Sequence, residues 1–589
     1  MTNGRERLAV LATLGGILAL AGWLRLQGLA FGLPAVYNPD EVAIMSRALA
    51  FAKGDINPHN FLYPTFYFYV LFAWVGAYFA GAWTLGAVPS IGAFQSQFFV
   101  DPTGVYLAGR MLGVACGVAT VAAVFALGRR LAGVPTGLVA ALFLATAPTA
   151  VRDAHYVKHD VPVTLAIVLA SLAIVRLGGS GAERPGRRPL PLAAALCGVA
   201  FSTHYYAVFL ALPLALAIGF ERRVDGVRAV VRDLAIAGAI AAIVFLALSP
   251  FLLVEPGTAW QDVVANRQIV VDRAAAGGRG AFASASAYAR LLWSEASGWP
   301  VLVGAIVGVA LLARDNPRTA ALLLAFPLTF LAFISNTVAA SRYLNPVLPF
   351  IAVLAAYAVC RLLASLGAAG RIWGRPWAIA GVALLLAVPG LRLSADLGRF
   401  FQQTDTRTLA QRYLESVAPA DATVLVQPYS VPLTQSKASL REALAAHGHD
   451  PARASGKFAI RLALDPDPAP AYRTLFLGDG GLDADKIYLS PGELSPAAGL
   501  GPLRRLGVQY VVLKRYNTED LAIAPLHAAL VAEGRLLAAF SPWRPDIDAR
   551  TRALVTPFLH NTDTPYDRAL ERPGPGIEVW SLAASAGSW

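Results

Sequence analysis

A succession of apolar segments, each long enough to bury itself in lipid, constrains this chain more than any other feature. Crossing the hydrocarbon core as a helix takes about 20 mostly apolar residues. Eleven stretches are read as spans: 8–27, 104–128, 135–151, 160–177, 190–204, 205–220, 233–253, 298–313, 318–335, 346–366 and 377–395. Only 15% of the 589 residues are charged while 56% are hydrophobic, too little charge to cover a water-soluble protein of this length. The expected architecture is therefore a polytopic α-helical membrane protein with about eleven transmembrane helices. The run from Leu8 to Leu24 behind Arg5 and Arg7 has the outline of a signal peptide. No small-residue cleavage pattern follows it, so it is read as an uncleaved first span.

The net charge of +12 does not point to nucleic acid, because the arginines sit in short patches between apolar runs: Arg129–Arg130, Arg184–Arg188, Arg222–Arg223 and Arg314–Arg318. Such patches mark cytoplasmic loops. With the N-terminus inside, alternation of the eleven spans puts every one of them on the cytoplasmic face. Segments 28–103, 152–159, 254–297 and 336–345 and the whole C-terminal part then lie outside. Residues 61–86 are apolar enough to span, but a span there would reverse everything downstream. Their aromatic density suits the membrane boundary, so an interfacial or partly inserted helix is expected. Cys116, Cys197 and Cys360 fall within apolar stretches and are read as packing residues.

Past Ala395 the composition changes. Residues 396–589 carry ordinary charge, many prolines and strand-like runs at Thr423–Gln427, Val508–Lys514, Leu536–Phe540 and Ile577–Ser581, with helical stretches at Thr406–Ser416 and Glu519–Glu533. Two domains are expected: a transmembrane module, 1–395, and a C-terminal extracytoplasmic α/β domain, 396–589.

Polar residues collect in the external segments. In the first, Pro39 followed by Asp40 and Glu41 looks like a helix start with acidic residues at the positive end of the dipole. Capping alone would account for Asp40, but carboxylates at a membrane boundary are costly and tend to be functional. His59 and Tyr63, in the same external segment, are further site candidates. The second loop, Arg152–Asp160, has six acidic, basic or histidine side chains in nine residues. Asp160 is expected to cap the next helix, which leaves His155, Lys158 and His159 unexplained, and a cation there suits an anionic phosphate. Arg342, beside Tyr343, begins a third cluster that either snorkels to headgroups or holds phosphate. Arg110 has the same two readings, and His204 reads more simply as a boundary anchor. No phosphate-binding glycine loop, HExxH or GxSxG motif is present.

These motifs, in this order, resemble the GT-C glycosyltransferases, in particular the protein O-mannosyltransferase and aminoarabinose-transferase-like branch. The likeness rests on the Asp40–Glu41 pair, on Ala108-Gly-Arg-Met-Leu-Gly113 leading to Leu127-Gly-Arg-Arg-Leu131, on His155-Tyr-Val-Lys-His-Asp160-Val-Pro and on Arg342-Tyr-Leu-Asn-Pro-Val-Leu-Pro349. It covers most of residues 1–395 and is thin beyond. It implies a GT-C fold, a polyprenyl-phosphate-linked sugar donor, and inverting transfer to an acceptor glycan, lipid or protein outside a bacterial inner membrane. On this resemblance the family's catalytic acidic residue maps onto Asp40, with Glu41 beside it, and its early second-span arginine onto Arg110; Lys158 and Arg342 join Arg110, by their charge, as groups for the donor phosphate. A divalent metal, Mg or Mn, at Asp40 is compatible with the family. Many relatives carry lysine where this chain has His204, which a partly neutral histidine replaces imperfectly.

The chemistry follows from the charges. Asp40 takes the acceptor's proton, and the cations stabilise a leaving phosphate that needs no general acid, unlike the second carboxyl of a glycoside hydrolase. The competing class is a membrane transporter or lipid flippase. Transporters place charge at mid-membrane on broken helices within inverted repeats, whereas here the polar residues gather on one face.

Overall fold

The computed structural model describes residues 4–178, 189–268, 282–369, 375–481, 483–493, 499–516, 520–560 and 565–582. The basic patch Arg184–Arg188 and the expected helix start at Glu519 lie outside them. The chain divides into two compact units. One comprises residues 1–29, 40–77 and 106–399. The other takes residues 30–39 and 78–105 together with 400–589, so two short N-terminal stretches pack with the C-terminal part.

The first unit is helical. Among the described residues eight helices are long and apolar enough to cross a membrane, or nine if Ala285–Ala296 and Trp299–Asp315, bent by 117°, form one span. The differences from eleven have local causes. The spans expected at 104–128 and 135–151 are one element, Thr103–Ala145, broken at Ala132 and Gly133. Gly133 has φ of +87°, which only glycine takes without strain. The two arms then meet backbone to backbone, since a Cβ on Gly137 would lie 2.6 Å from the Phe125 carbonyl oxygen. The second arm stops at Ala145, and Pro148 starts a separate short helix, Pro148–Asp153. The spans expected at 190–204 and 205–220 are the shorter helices Pro189–Thr203 and Tyr205–Glu221. Residues 61–86 contain Phe66–Thr84, whose 19 residues pass as a span on length and composition.

Helices pack closely where side chains are smallest. In Trp299–Asp315, Gly304 and Gly308 are four residues apart and face Leu348–Ala369. A Cβ at Gly308 would collide with the Leu354 carbonyl, and one at Gly304 would sit 3.3 Å from the Ala355 Cβ. Small residues at this spacing let helix backbones approach within lipid, where apolar burial gives little drive to associate.

The second unit is built on a six-stranded sheet ordered β3-β2-β1-β4-β6-β5. Its strands are β1 Thr423–Val426, β2 Arg473–Leu477, β3 Ile487–Leu489, β4 Tyr510–Arg515, β5 Arg535–Phe540 and β6 Gly576–Ser581. The first four lie parallel to their neighbours, and β6 runs antiparallel between β4 and β5. Strand alternation sends Leu425, Leu475, Val511 and Leu513 to one face, packed with Leu526 and Leu530 of the helix Ala524–Glu533. Val424, Val426, Val512 and Val579 face the other way, against Ala410 and Leu414 of the helix Thr406–Val417. The N-terminal stretch of this unit is anchored too. Arg407, bidentate to Asp405 at 2.8 and 2.7 Å, lies 3.7 Å over the Tyr37 ring, and Phe31 stacks on His560 at 4.3 Å.

Gly308→Ala should force the two helices apart and cost about 1–3 kcal/mol, as overpacking does. Gly381, with nothing within 4 Å of its would-be Cβ, should accept alanine without loss. The difference in thermal unfolding temperature of the two detergent-solubilised variants measures this.

Candidate functional site

Pro39 opens the helix Pro39–Ala50, its fixed φ suiting the first helical position. The two carboxylates that follow point to different environments, because consecutive residues on a helix are a little over a quarter-turn apart. Glu41 is fully buried. It is bound bidentately by the Arg110 guanidinium at 3.0 and 2.9 Å and also accepts the Val157 backbone N–H at 3.0 Å. Arg110 spends a further N–H on the Leu29 carbonyl at 2.8 Å. Asp40 is half-exposed, and its Oδ2 accepts from Lys158 Nζ at 2.8 Å and from Arg342 Nη1 at 3.0 Å. Burial works to raise the Asp40 pKa, but the Lys158 and Arg342 charges outweigh it and hold the carboxyl below the usual carboxylate range.

The two cations arrive on loops that are themselves tied together. Arg152 bonds Asp153 at 2.8 Å and the Ser341 hydroxyl at 2.9 Å, with Glu295 at 3.7 Å, and the Asn345 amide donates to Asp153 at 2.5 Å. This buried network joins the Lys158 loop to the 3₁₀ turn Ser341–Leu344 that carries Arg342.

Asp40, Lys158 and Arg342 line a cavity of about 190 Å³ together with Arg47, Tyr63, His159, Asp160, His204 and Tyr343. A neighbouring apolar cavity of about 430 Å³ shares Tyr63, His204 and Tyr343 with it and continues along Phe209, Phe330 and Phe333. His159 stacks on Tyr63 at 4.4 Å, and its buried Nε2 has no hydrogen-bond partner among the described residues. Burial, then the neighbouring His204, Arg47 and Lys158, pushes its pKa far down. His204 receives the Tyr206 N–H at its ring nitrogen, 3.4 Å away.

Eight of the twelve residues singled out in the sequence therefore meet at one cavity. The other four do not line it. Glu41 and Arg110, expected beside the reaction and on the donor phosphate, are committed to each other in the interior. His155 is buried and bonded to the Val151 and Gln27 carbonyls at 2.8 and 2.9 Å, and burial pushes its pKa down to about 4. His59 is exposed and pairs with Asp55 and Glu255. Asp160 does not cap its helix: the cap position is His159, without a side-chain capping bond, and the Asp160 carboxyl lines the cavity instead. Arg47 was missed. It lies seven residues beyond Asp40 on the same helix face, a spacing legible in the sequence. Among the described residues no carboxylate forms an ion pair with it.

The donor set does not fit a divalent metal. Asp40 already faces two cations, Glu41 is occupied by Arg110, and among the described residues no group of three or more His, Cys, Asp or Glu side chains is placed to hold one.

Residues 102–253 match the family model for dolichyl-phosphate-mannose-protein mannosyltransferases. No curated protein matches the sequence. Among solved structures the chain is similar to ArnT from Cupriavidus metallidurans bound to undecaprenyl phosphate. The identity is 14%, covering 98% of this chain and 99% of that one, with a TM-score of 0.53. The apo form of ArnT aligns with 13% identity over 90% of this chain and 96% of that one, at a TM-score of 0.50. An Archaeoglobus fulgidus oligosaccharyltransferase tethered to an acceptor peptide aligns with 12% identity over 97% and 88%, also at 0.50. The fold is GT-C.

Within this GT-C framework the two adjacent carboxylates are separable by experiment. Glu41→Leu leaves the Arg110 charge buried and unmatched, and breaking such a pair costs about 3–5 kcal/mol. Loss of folded yield or a large fall in Tm is expected, whereas Asp40→Asn, at a half-exposed site and keeping a hydrogen-bonding group, should fold and lose much less Tm.

The Asp40 ion pairs also set a pH dependence. Its folded pKa lies below the unfolded one, so the stability it contributes is present above the ordinary carboxylate range and is lost as pH falls through the depressed value. Lys158→Met removes one of the two charges and raises that pKa. The acid-side fall in Tm that Asp40 contributes should therefore be smaller in the variant and end at a higher pH.

Proposed function

We propose that the chain is an inverting glycosyltransferase that moves a monosaccharide from a polyprenyl-phosphate-linked donor to an extracytoplasmic acceptor glycan, lipid or protein. The observation that carries this reading is one carboxylate held between two cations in a polar cavity that shares three lining residues with an apolar one. A donor of this class needs both environments side by side: cations for its phosphate and an apolar wall for its tail. The ArnT structure similar to this chain is bound to undecaprenyl phosphate, which agrees with such a donor.

The geometry supplies an order of events. Lys158 and Arg342 neutralise Asp40 while no phosphate is present. An arriving phosphate competes for the same two cations, with Arg47, which forms no ion pair among the described residues, as a third. Each cation drawn to the phosphate relaxes its hold on Asp40, whose pKa rises and whose carboxylate becomes a better base. Asp40 then accepts the acceptor's proton as the acceptor oxygen bonds to the anomeric carbon. The bond from that carbon to the phosphate oxygen breaks on the opposite face, and the polyprenyl phosphate leaves with the electron pair. Its charge is stabilised by Arg47, Lys158 and Arg342, so neither a general acid nor a metal is required.

Sidedness is part of the proposal. Contact of Asp40 with Lys158 and Arg342 requires an even number of crossings between each pair of loops. The two arms of Thr103–Ala145 supply two crossings between Asp40 and Lys158, which supports an interfacial rather than fully crossing Phe66–Thr84. With Arg5 and Arg7 on the cytoplasmic side of the first span, the cavity faces outward from a bacterial inner membrane.

A panel of radiolabelled polyprenyl-phosphate sugars tests the function on purified protein. Wild type should release or transfer sugar from at least one donor. Asp40→Asn should lose turnover while still binding that donor, and Arg47→Ala should bind it more weakly. Turnover by Asp40→Asn removes Asp40 from the mechanism, and no turnover of any donor by wild type sinks the proposal.

A further inference from the structure

One carboxylate in the Asp40 cavity takes no part in the reading above. Asp160 is 7% exposed, and its side chain lines that cavity. Its backbone carbonyl accepts the Thr164 hydroxyl at 2.6 Å. Among the described residues its carboxyl receives no hydrogen bond and forms no ion pair. Lys158 and Arg342 attract it, but each makes its close contact, at 2.8 and 3.0 Å, with Asp40 instead. The Asp160 oxygens are open to the cavity, unlike His159 Nε2, which is sealed from solvent.

Structural roles do not account for this carboxylate. It does not cap the helix Asp160–Leu177 that it begins. Among the described residues no group of three or more His, Cys, Asp or Glu side chains is placed to share a metal ion with it. A charge held in a largely buried position with nothing bonded to it is destabilising and calls for a reason. A ligand that donates hydrogen bonds into the cavity supplies one.

The charges lining the cavity select the kind of ligand group. Asp40 and Asp160 contribute two negative charges, and Arg47, Lys158 and Arg342 three positive ones, a net charge of +1. A sugar joined to a polyprenyl phosphate is a phosphodiester with one negative charge. Cavity and donor together are neutral only if the sugar carries no charge of its own. An amino sugar leaves one positive charge in excess and a uronic acid one negative, and an unmatched charge in such a space is costly. Ring hydroxyls fill the lone pairs of a carboxylate without adding charge.

We infer that Asp160 is a specificity residue for the donor, its two oxygens accepting hydrogen bonds from neighbouring hydroxyls of an uncharged sugar. Tyr63 and Tyr343 line the same cavity and give the sugar ring an apolar wall. A site built around hydroxyl donors rejects analogues that replace them, because its buried acceptor is then left unpaired. The inference rests on the polyprenyl-phosphate donor proposed above and names the class of its sugar.

The test uses purified full-length protein in detergent. It is titrated with sugar-free undecaprenyl phosphate and assayed with undecaprenyl-phosphate donors carrying neutral glucose, mannose or galactose, cationic glucosamine, or anionic glucuronate. Wild type should use at least one neutral donor with kcat/KM about tenfold or more above both charged ones. Asp160→Asn should raise KM for that neutral donor about tenfold or more, as loss of hydrogen bonds to a charged group does. The same variant should bind sugar-free undecaprenyl phosphate at least as tightly as wild type, because a negative charge has left the phosphate's surroundings. It should also melt no lower, since the carboxylate it removes makes no bond in the free protein. Preference for a charged donor, an unchanged neutral-donor KM in Asp160→Asn, or parallel loss of donor and sugar-free lipid binding would overturn the inference and leave the donor reading standing. Failure of wild type to bind undecaprenyl phosphate or to use any donor would overturn both.

Discussion

The Glu41–Arg110 pair is the interaction on which the membrane unit's site depends. Two opposite charges are fully buried, the Arg110 guanidinium donates two hydrogen bonds to the Glu41 carboxylate, and each group also bonds backbone, Arg110 at Leu29 and Glu41 at Val157. The pair thereby ties together the end of the first span, the helix that carries Asp40, the long hairpin helix and the loop that carries Lys158. Burying charge costs several kcal/mol per ion, so such a pair adds little net stability over an apolar substitute. What it supplies is direction. Only one register of the Pro39–Ala50 helix puts Glu41 on Arg110, and that register turns Asp40 toward Lys158 and Arg342.

The same division runs through the second loop. Val157 and Lys158 are neighbours, yet one gives its backbone N–H to the buried Glu41 and the other its ammonium to Asp40. Arg152 and Asp153 go inward to Ser341 and Asn345, whereas His159 and Asp160 face the cavity. A loop so rich in charge looks like a single functional cluster when read as text. In three dimensions about half of it is scaffold for the other half. The scaffold half is more deeply committed, because an unpaired charge there has no water to fall back on.

The C-terminal unit is organised by strand alternation rather than by charge. The four strands expected from β-branched and aromatic runs are present within two residues of their expected limits, since each is an apolar run that needs cover on both faces. β2 and β3 were not marked out. β3 has three residues, all half-buried, at the sheet's edge, and β2 gives one face to the core and the other partly to a polar cavity within the same unit. Neither has enough apolar continuity to stand out from a loop. The missed strands are therefore the ones beside that cavity, where the sequence carries polar residues in place of core.

Local composition determined what depends on local chemistry: a membrane-embedded helical part, a later α/β part, the helix beginning at Pro39, and a set of polar loop residues of which eight converge. Transfer free energy and helix geometry act residue by residue, so these can be read along the chain. Which of two adjacent carboxylates faces the cavity, which arginine is scaffold and which lines the cavity, and whether Asp160 caps or lines depend on residues far apart in the chain. Asp40 and Arg342 are separated by some three hundred residues, and nothing local to either announces the other. Those assignments arise only when packing has fixed which charges can be paired in the interior and which are left to meet a ligand.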